Sequence, residues 1–218
     1  MIVRRLGGPD GAREATGAAV IIDVFRAFTT AAFAIAAGAR EIILVADHEQ
    51  ALAIKAADPT LFLTGEIGGR PIPGFDLGNS PSRMEGLDLS GRRVVQRTSS
   101  GTQGVVAAAG ASEIVLGSLV IAGATARYLH DRELVSLVAT DIARPDARED
   151  EICAAYLEAL LLGQPPTSAR VALTGDAEGW PDWFPRRDAE LACELDRFAF
   201  ALPVMRVDGL LIARPVFA

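Results

Sequence analysis

Cysteine, histidine and lysine are all scarce in this 218-residue chain, which holds two cysteines, two histidines and, in Lys55, a single lysine. Cys153 and Cys193 lie far apart inside apolar, helix-like segments, without the close spacing of a zinc or redox motif, and read as buried thiols. His48 and His130 fall in polar segments, one just after a strand and one near a helix end, which argues against a histidine-rich metal site. Basic charge is short as well. With 21 Lys and Arg against 28 Asp and Glu, the net charge is −7, so neither nucleic acid nor an anionic membrane is an expected partner, because both demand a basic face. Long apolar runs are missing too. Gly, Arg, Asp or Thr interrupts each one well before the roughly 20 residues of a membrane span, and "MIVRRLGGPDGAREATG" lacks the apolar core of a signal peptide. These absences predict a soluble, cytoplasmic protein.

What the chain does have is apolar mass, half of its residues, enough for one α/β domain over residues 1–218; two tightly packed lobes, about 1–125 and 126–218, are the alternative. Three segments share one grammar. "AAVIIDVFRAFTTAAFAIAAG" reads as a buried strand, Ala18–Ile22, a polar turn from Asp23 to Thr30 and a helix closed by Gly38. "RRVVQRTSSGTQGVVAAAG" repeats this, with a strand at Val94-Val95, a turn over Arg97–Thr102 and a helix to Gly110. "LVSLVATDIARPDAREDEICAAYLEALLLG" gives it a third time, with a strand over Leu134–Ala139, a polar loop from Asp141 to Asp150 and a helix to about Gly163. The first two units continue alike, in "AAGAREIILVA" and "AAGASEIVLGS", and form an internal strand–helix–strand repeat. Between them lies a dissimilar insert, about Asp47 to Gly91. The tail adds a tryptophan-bearing loop, "WPDWF", a helix over Asp188–Asp196 and terminal strands. The alternation predicts a three-layer α/β/α fold with a largely parallel sheet. Ligands of such sheets bind beyond the strand carboxyl ends, so the three polar turns are expected to converge on one edge.

The turn Arg97, Thr98, Ser99, Ser100, Gly101, Thr102 opens a helix with four hydroxyls and an arginine. One helix cap needs one hydroxyl, and the surplus points to a phosphate held by amides, hydroxyls and the helix dipole. It is not a Walker loop, since the glycine spacing and the lysine are absent. The turn Asp23, Arg26, Thr29, Thr30 adds a carboxylate at a strand end, the ingredients of a site where Mg²⁺ and arginine share a phosphate. The insert brings Glu66, Arg70, Asp76, Asn79 and Ser80 onto a glycine- and proline-rich stretch that reads as an active-site loop. Asp141, Asp146, Glu149 and Asp150 offer further carboxylates, the last two equally placed as acids in the first turn of a helix. Arg70, Arg144 and Arg148 are cations for further anionic groups of a substrate. Two other readings compete with an enzyme. One is a phospho-ligand sensor without turnover, which has no use for so many carboxylates beside a phosphate. The other is an interaction subunit, suggested by the apolar tail.

The segments "IIDVFRAFTT", "GEIGGRPIPGFDLGNSP", "RTSSGT", "ED" followed by "CAA", and "DAELACELDRFAFALPV", in this order, resemble the 2-phosphosulfolactate phosphatase family over nearly the whole chain. The resemblance implies Mg²⁺-dependent hydrolysis of 2-phospho-3-sulfolactate to 3-sulfolactate and phosphate, a step towards coenzyme M. The roles expected on both grounds are Asp23, Arg26 and Asp76 in catalysis, Asp23, Glu66 and Asp76 on the metal, and Thr29, Thr30, Arg97, Thr98, Ser99, Ser100, Gly101 and Thr102 on the phosphate. Arg70, Asn79 and Ser80 would hold the rest of the substrate. Phe28 and Ser100 depart from the family pattern, which has a small or threonine-like residue and an asparagine there; both changes reshape the pocket without removing charge. The nucleophile is left open between water and an aspartate, and a homodimer is expected.

Overall fold

In the computed structural model, residues 1–140, 148–166 and 184–217 are described. Strand β2 (Ala18–Ile22) is buried along its whole length, and its side chains alternate between two cores, Ala19 and Ile21 to one, Ala18, Val20 and Ile22 to the other. It lies between β8 (Glu113–Gly117) and β9 (Leu134–Ala139), parallel to both, and β1 (Ile2–Gly7) runs parallel to β9 at the edge. A second parallel group consists of β3 (Glu41–Leu44), β7 (Arg93–Arg97), β4 (Phe62–Ile67) and the short β6 (Leu77–Gly78). The hairpin of β10 (Phe200–Val207) and β11 (Leu210–Ala213) joins the groups, β10 antiparallel to β8 and β11 antiparallel to β3. Its turn, Asp208–Gly209, carries φ of +50° and +79°, the left-handed pair that a tight hairpin requires. Two-residue strands β5 (Arg70–Pro71) and β12 (Val216–Phe217) complete the sheet.

Helices cover both faces. On the shared face lie α1 (Gly8–Glu14), α2 (Ala27–Ala36), α4 (Pro81–Met84) and α5 (Gly101–Ala107). Behind the first strand group pack α6 (Ala122–Tyr128) and α7 (Glu149–Leu161), and behind the second packs α3 (His48–Ala57); α8 (Arg186–Ala192) bridges the layers, with Leu191 in the shared core, Ala192 in the core behind it and a contact to α4. The three-layer α/β/α architecture is therefore present.

The repeat is present in an unexpected arrangement. Its units are β2-α2-β3 and β7-α5-β8, but β2 pairs with β8 and β3 with β7, so each unit places one strand in each group. Because three antiparallel pairings, β8 with β10, β10 with β11 and β11 with β3, separate the groups, they run in opposite directions, and the turns after β2 and β7 leave opposed strands. The helix of the first unit also starts earlier than expected: α2 begins at Ala27, so Thr29 and Thr30 lie inside it. The C-terminal helix is displaced in the same sense, covering 186–192 where the sequence suggested 188–196. The insert has more regular structure than its glycines suggested, holding α3, β4, β5, β6 and α4. The acids Asp141 and Asp146, Arg144 and both tryptophans lie outside the described residues. Among the described residues no helix is long and apolar enough to cross a membrane.

Both cysteines are buried thiols. Burial first, then the charges of Asp150 and Asp196, pushes the Cys153 thiol well above its ordinary value. Native protein at pH 8 should therefore leave Cys153 unlabelled by a water-soluble disulfide reagent until denaturant is added. Rapid labelling of that thiol in the folded state would contradict its burial.

Candidate active site

Asp23 follows the last residue of β2, where Ile22 ends the apolar run. Its Oδ1 accepts the amide of Ala27 at 2.9 Å and so opens α2. Its Oδ2 lies against the start of α5, because a methyl group built on Gly101 would stand 2.8 Å from it. Two helix N-termini, on oppositely directed strand groups, thus meet at one carboxylate. A chain of contacts closes a ring around it. From Gly101 the chain runs back two residues to Ser99, whose amide donates to Glu66 Oε1 at 2.5 Å. Glu66 Oε2 accepts the Gly69 amide at 2.5 Å and the Ser99 hydroxyl at 3.2 Å. The Gly69 carbonyl in turn accepts from Arg26 NH2 at 3.4 Å, and Arg26 returns to Asp23 along the turn after β2. The Phe25–Arg26 peptide is cis. Each of the three charged groups, Asp23, Arg26 and Glu66, is at most 7 % exposed.

Burial lowers the Arg26 pKa from its ordinary value, opposed by a hydrogen bond to Asp188 and by the charges of Asp188, Glu66 and Asp23. A third carboxylate stands beside the ring. Asp150, in the first turn of α7, accepts the Val24 amide at 2.7 Å and the Thr140 hydroxyl at 3.3 Å, tying the carboxyl ends of β2 and β9 together. From the ring a cavity of about 650 Å³ opens between α1 and α5, lined by Ser99, Ser100, Gln103 and Gly104 on one side, Gly8, Pro9 and Arg13 on the other, and Thr140 beneath. It is large enough for a three-carbon phosphate ester.

The expected residues divide clearly. Asp23, Arg26, Glu66 and the 98–102 turn come together. Asp76 does not join them. Its carboxylate accepts from the Leu63 amide at 2.7 Å and pairs with Lys55; burial would raise its pKa, but these two donors hold it below the usual range. Since β4 and β6 pair in parallel with Thr64 opposite Leu77, Asp76 sits about 10 Å behind Glu66 along the strand. Arg70 is exposed on β5. Thr29 and Thr30 are fully buried, and Thr29 donates to the Val24 carbonyl at 2.8 Å.

The second turn is largely self-satisfied. Thr98 and Thr102 bond each other reciprocally at 2.9 and 3.0 Å. Ser99 serves Glu66 and accepts from the Gly68 amide at 2.9 Å. Arg97 donates to the carbonyls of Ala46 and Glu66 at 3.1 and 2.8 Å. Ser100 remains, facing the cavity. Asn79 and Ser80 are buried; Asn79 Oδ1 has no partner, and Ser80 bonds Asp188 at 2.8 Å. Arg148 stands at the N-cap position of α7, without a side-chain capping bond. Sequence reasoning missed Asp188, Thr140 and Arg13. Asp188 stood inside a segment quoted for its family likeness, but nothing local marks its partner 162 residues away.

The sequence model of the 2-phosphosulpholactate phosphatase family matches residues 9–178. The chain belongs to this family. Relatives named "Probable 2-phosphosulfolactate phosphatase" agree with that membership. The protein of Deinococcus radiodurans is 42 % identical over 163 residues, 72 % of this chain and 68 % of the relative. That of Bacillus subtilis is 34 % identical over 155 residues, 71 % and 68 %. That of Prochlorococcus marinus is 31 % identical over 233 aligned positions, 94 % and 95 %. The match takes in every member of the ring, Asp23, Arg26, Glu66, Gly69 and the 98–102 turn, and Asp150 beside it; the phosphatase family's segment stops before α8.

Proposed function

We propose that the chain hydrolyses 2-phospho-3-sulfolactate to 3-sulfolactate and inorganic phosphate, with Mg²⁺ as its metal. The observation that carries this reading is the closed ring, which gathers two carboxylates and one guanidinium from three distant segments and shares Ser99 with the lining of a substrate-sized cavity. The phosphate would lie at the start of α5, on the Ser100 hydroxyl and the neighbouring amides, with Arg26 neutralising its charge. Arg13, across the cavity, would take the carboxylate or sulfonate of the same molecule. Attack by water on phosphorus breaks the ester P–O bond and returns the C2 hydroxyl of sulfolactate.

The donor set fits a magnesium ion. Asp23, Glu66 and Asp150 are buried carboxylates in or beside the ring, hard oxygen donors of the kind that Mg²⁺ takes. Among the described residues no three His, Cys, Asp or Glu side chains form a metal cage; Mg²⁺ is usually held by one or two carboxylates, with water and substrate oxygens completing its shell. Asp23 would be the principal ligand, with Glu66 or Asp150 as the second. When bound, the metal would neutralise charge on the transferring phosphoryl group.

The test is phosphate release from a panel of phosphorylated 2-hydroxy acids, 2-phosphosulfolactate included, with Mg²⁺ and with EDTA. Release should depend on Mg²⁺ and be fastest for the sulfonated ester. Equal rates across the panel would refute the substrate, and full activity in EDTA would refute the metal.

A further inference from the structure

Arg26 stands at a buried point of the ring, and a flexible side chain needs something to fix its plane there. One carboxylate does so. Asp188, on α8 and fully buried, accepts from Arg26 NH1 at 2.8 Å through Oδ2. Its Oδ1 accepts the Ser80 hydroxyl at 2.8 Å and the Ser82 amide at 2.9 Å. The Phe184 ring lies 4.0 Å below the guanidinium carbon and closes its remaining face. A buried carboxylate persists only where charge and hydrogen bonds offset its desolvation, and here three donors from two segments do this. An apolar residue of the same size would fill the space as well. What the carboxylate adds is direction: with NH1 held by Asp188, NH2 is turned to Gly69 and the ring.

We propose that Asp188 is a positioning residue of the phosphatase site, which aims Arg26 at the bound phosphate and locks the Ser80–Ser82 turn to the same point. It lies beyond residues 9–178, the segment that the family model matches. The proposal rests on Arg26 being the phosphate-binding cation, as argued above.

A double-mutant cycle of Asp188→Asn and Arg26→Gln tests it, read both as the Kd for inorganic phosphate and as kcat/KM on whichever ester the wild type hydrolyses. Asp188→Asn alone should weaken phosphate binding and lower kcat/KM by about 10- to 100-fold. In the Arg26→Gln background the same change should cost less than about 3-fold. A purely structural carboxylate would instead cost the same factor in both backgrounds, and that result overturns the proposal, as does an Arg26→Gln variant that binds phosphate normally. Should Asp188→Asn not fold, Asp188→Glu keeps the charge but shifts it by one methylene, and the same dependence on Arg26 is expected. If another ester is hydrolysed and 2-phosphosulfolactate is not, the substrate assignment falls while the cycle, read on inorganic phosphate, still decides the role of Asp188.

Discussion

Asp23→Asn is expected to lower kcat/KM for ester hydrolysis at least about 1,000-fold, some 4 kcal/mol of transition-state stabilisation, with a melting temperature within about 3 °C of wild type. The two halves of this expectation come from the two oxygens. Oδ1 accepts the Ala27 amide at 2.9 Å, a bond that an asparagine oxygen makes equally well, so the start of α2 survives. Oδ2 faces the start of α5, where the amide group of asparagine supplies neither negative charge for a metal nor an acceptor for the attacking water. Loss of the charge also leaves Arg26 with one fewer compensating carboxylate. The readout is phosphate release under saturating Mg²⁺, alongside a thermal melt. A variant that folds and hydrolyses normally would remove Asp23 from the chemistry, and with it both the water route and the aspartyl-phosphate route.

The gathering of Asp23, Arg26 and the 98–102 turn was legible because they stand in local strand–turn–helix patterns that sequence displays directly, and that of Glu66 because the glycine-rich insert carrying it reads as an active-site loop. The direction of each donor was not. Four hydroxyls before a helix look like a phosphate cradle, yet Thr98, Ser99 and Thr102 spend theirs on one another and on Glu66. Composition cannot distinguish a donor aimed outward from one aimed back at the chain. Asp76 and Asp188 make the same point with long-range partners: the first, inside the most distinctive motif, is tied to Lys55, and the second, at the head of the segment "DAELACELDRFAFALPV", holds Arg26. The reversal of the strand groups was hidden for a related reason. Periodicity marks a strand but not its neighbour, and the hairpin that separates β8 from β3 is contributed by the far end of the chain. The convergence of the turns was foreseen, but its route through opposed strand groups was not.

That route makes Gly101 the most sensitive backbone position in the site, and Gly101→Ala is the substitution with the second-largest expected effect. The added methyl would stand 2.8 Å from Ala27 Cβ, 2.8 Å from Asp23 Oδ2 and 3.1 Å from Phe28 Cζ. Two of these atoms belong to packed helix α2 and the third to the central carboxylate, so none yields without moving the junction of α2 and α5. Overpacking of this kind costs about 2 kcal/mol, or a fall of about 4 to 8 °C in melting temperature for a chain of this size. Since displacement by about 1 Å at a reacting centre is worth about 100-fold in rate, kcat should fall by a similar factor. Gly123→Ala separates the two effects. Its methyl meets another carboxylate, Asp196 Oδ1 at 2.9 Å, at the start of α6 behind the sheet, so it should cost comparable stability while keeping kcat within about 3-fold of wild type. A Gly101→Ala enzyme with wild-type turnover would mean that the two helix N-termini do not meet at Asp23 in the working protein.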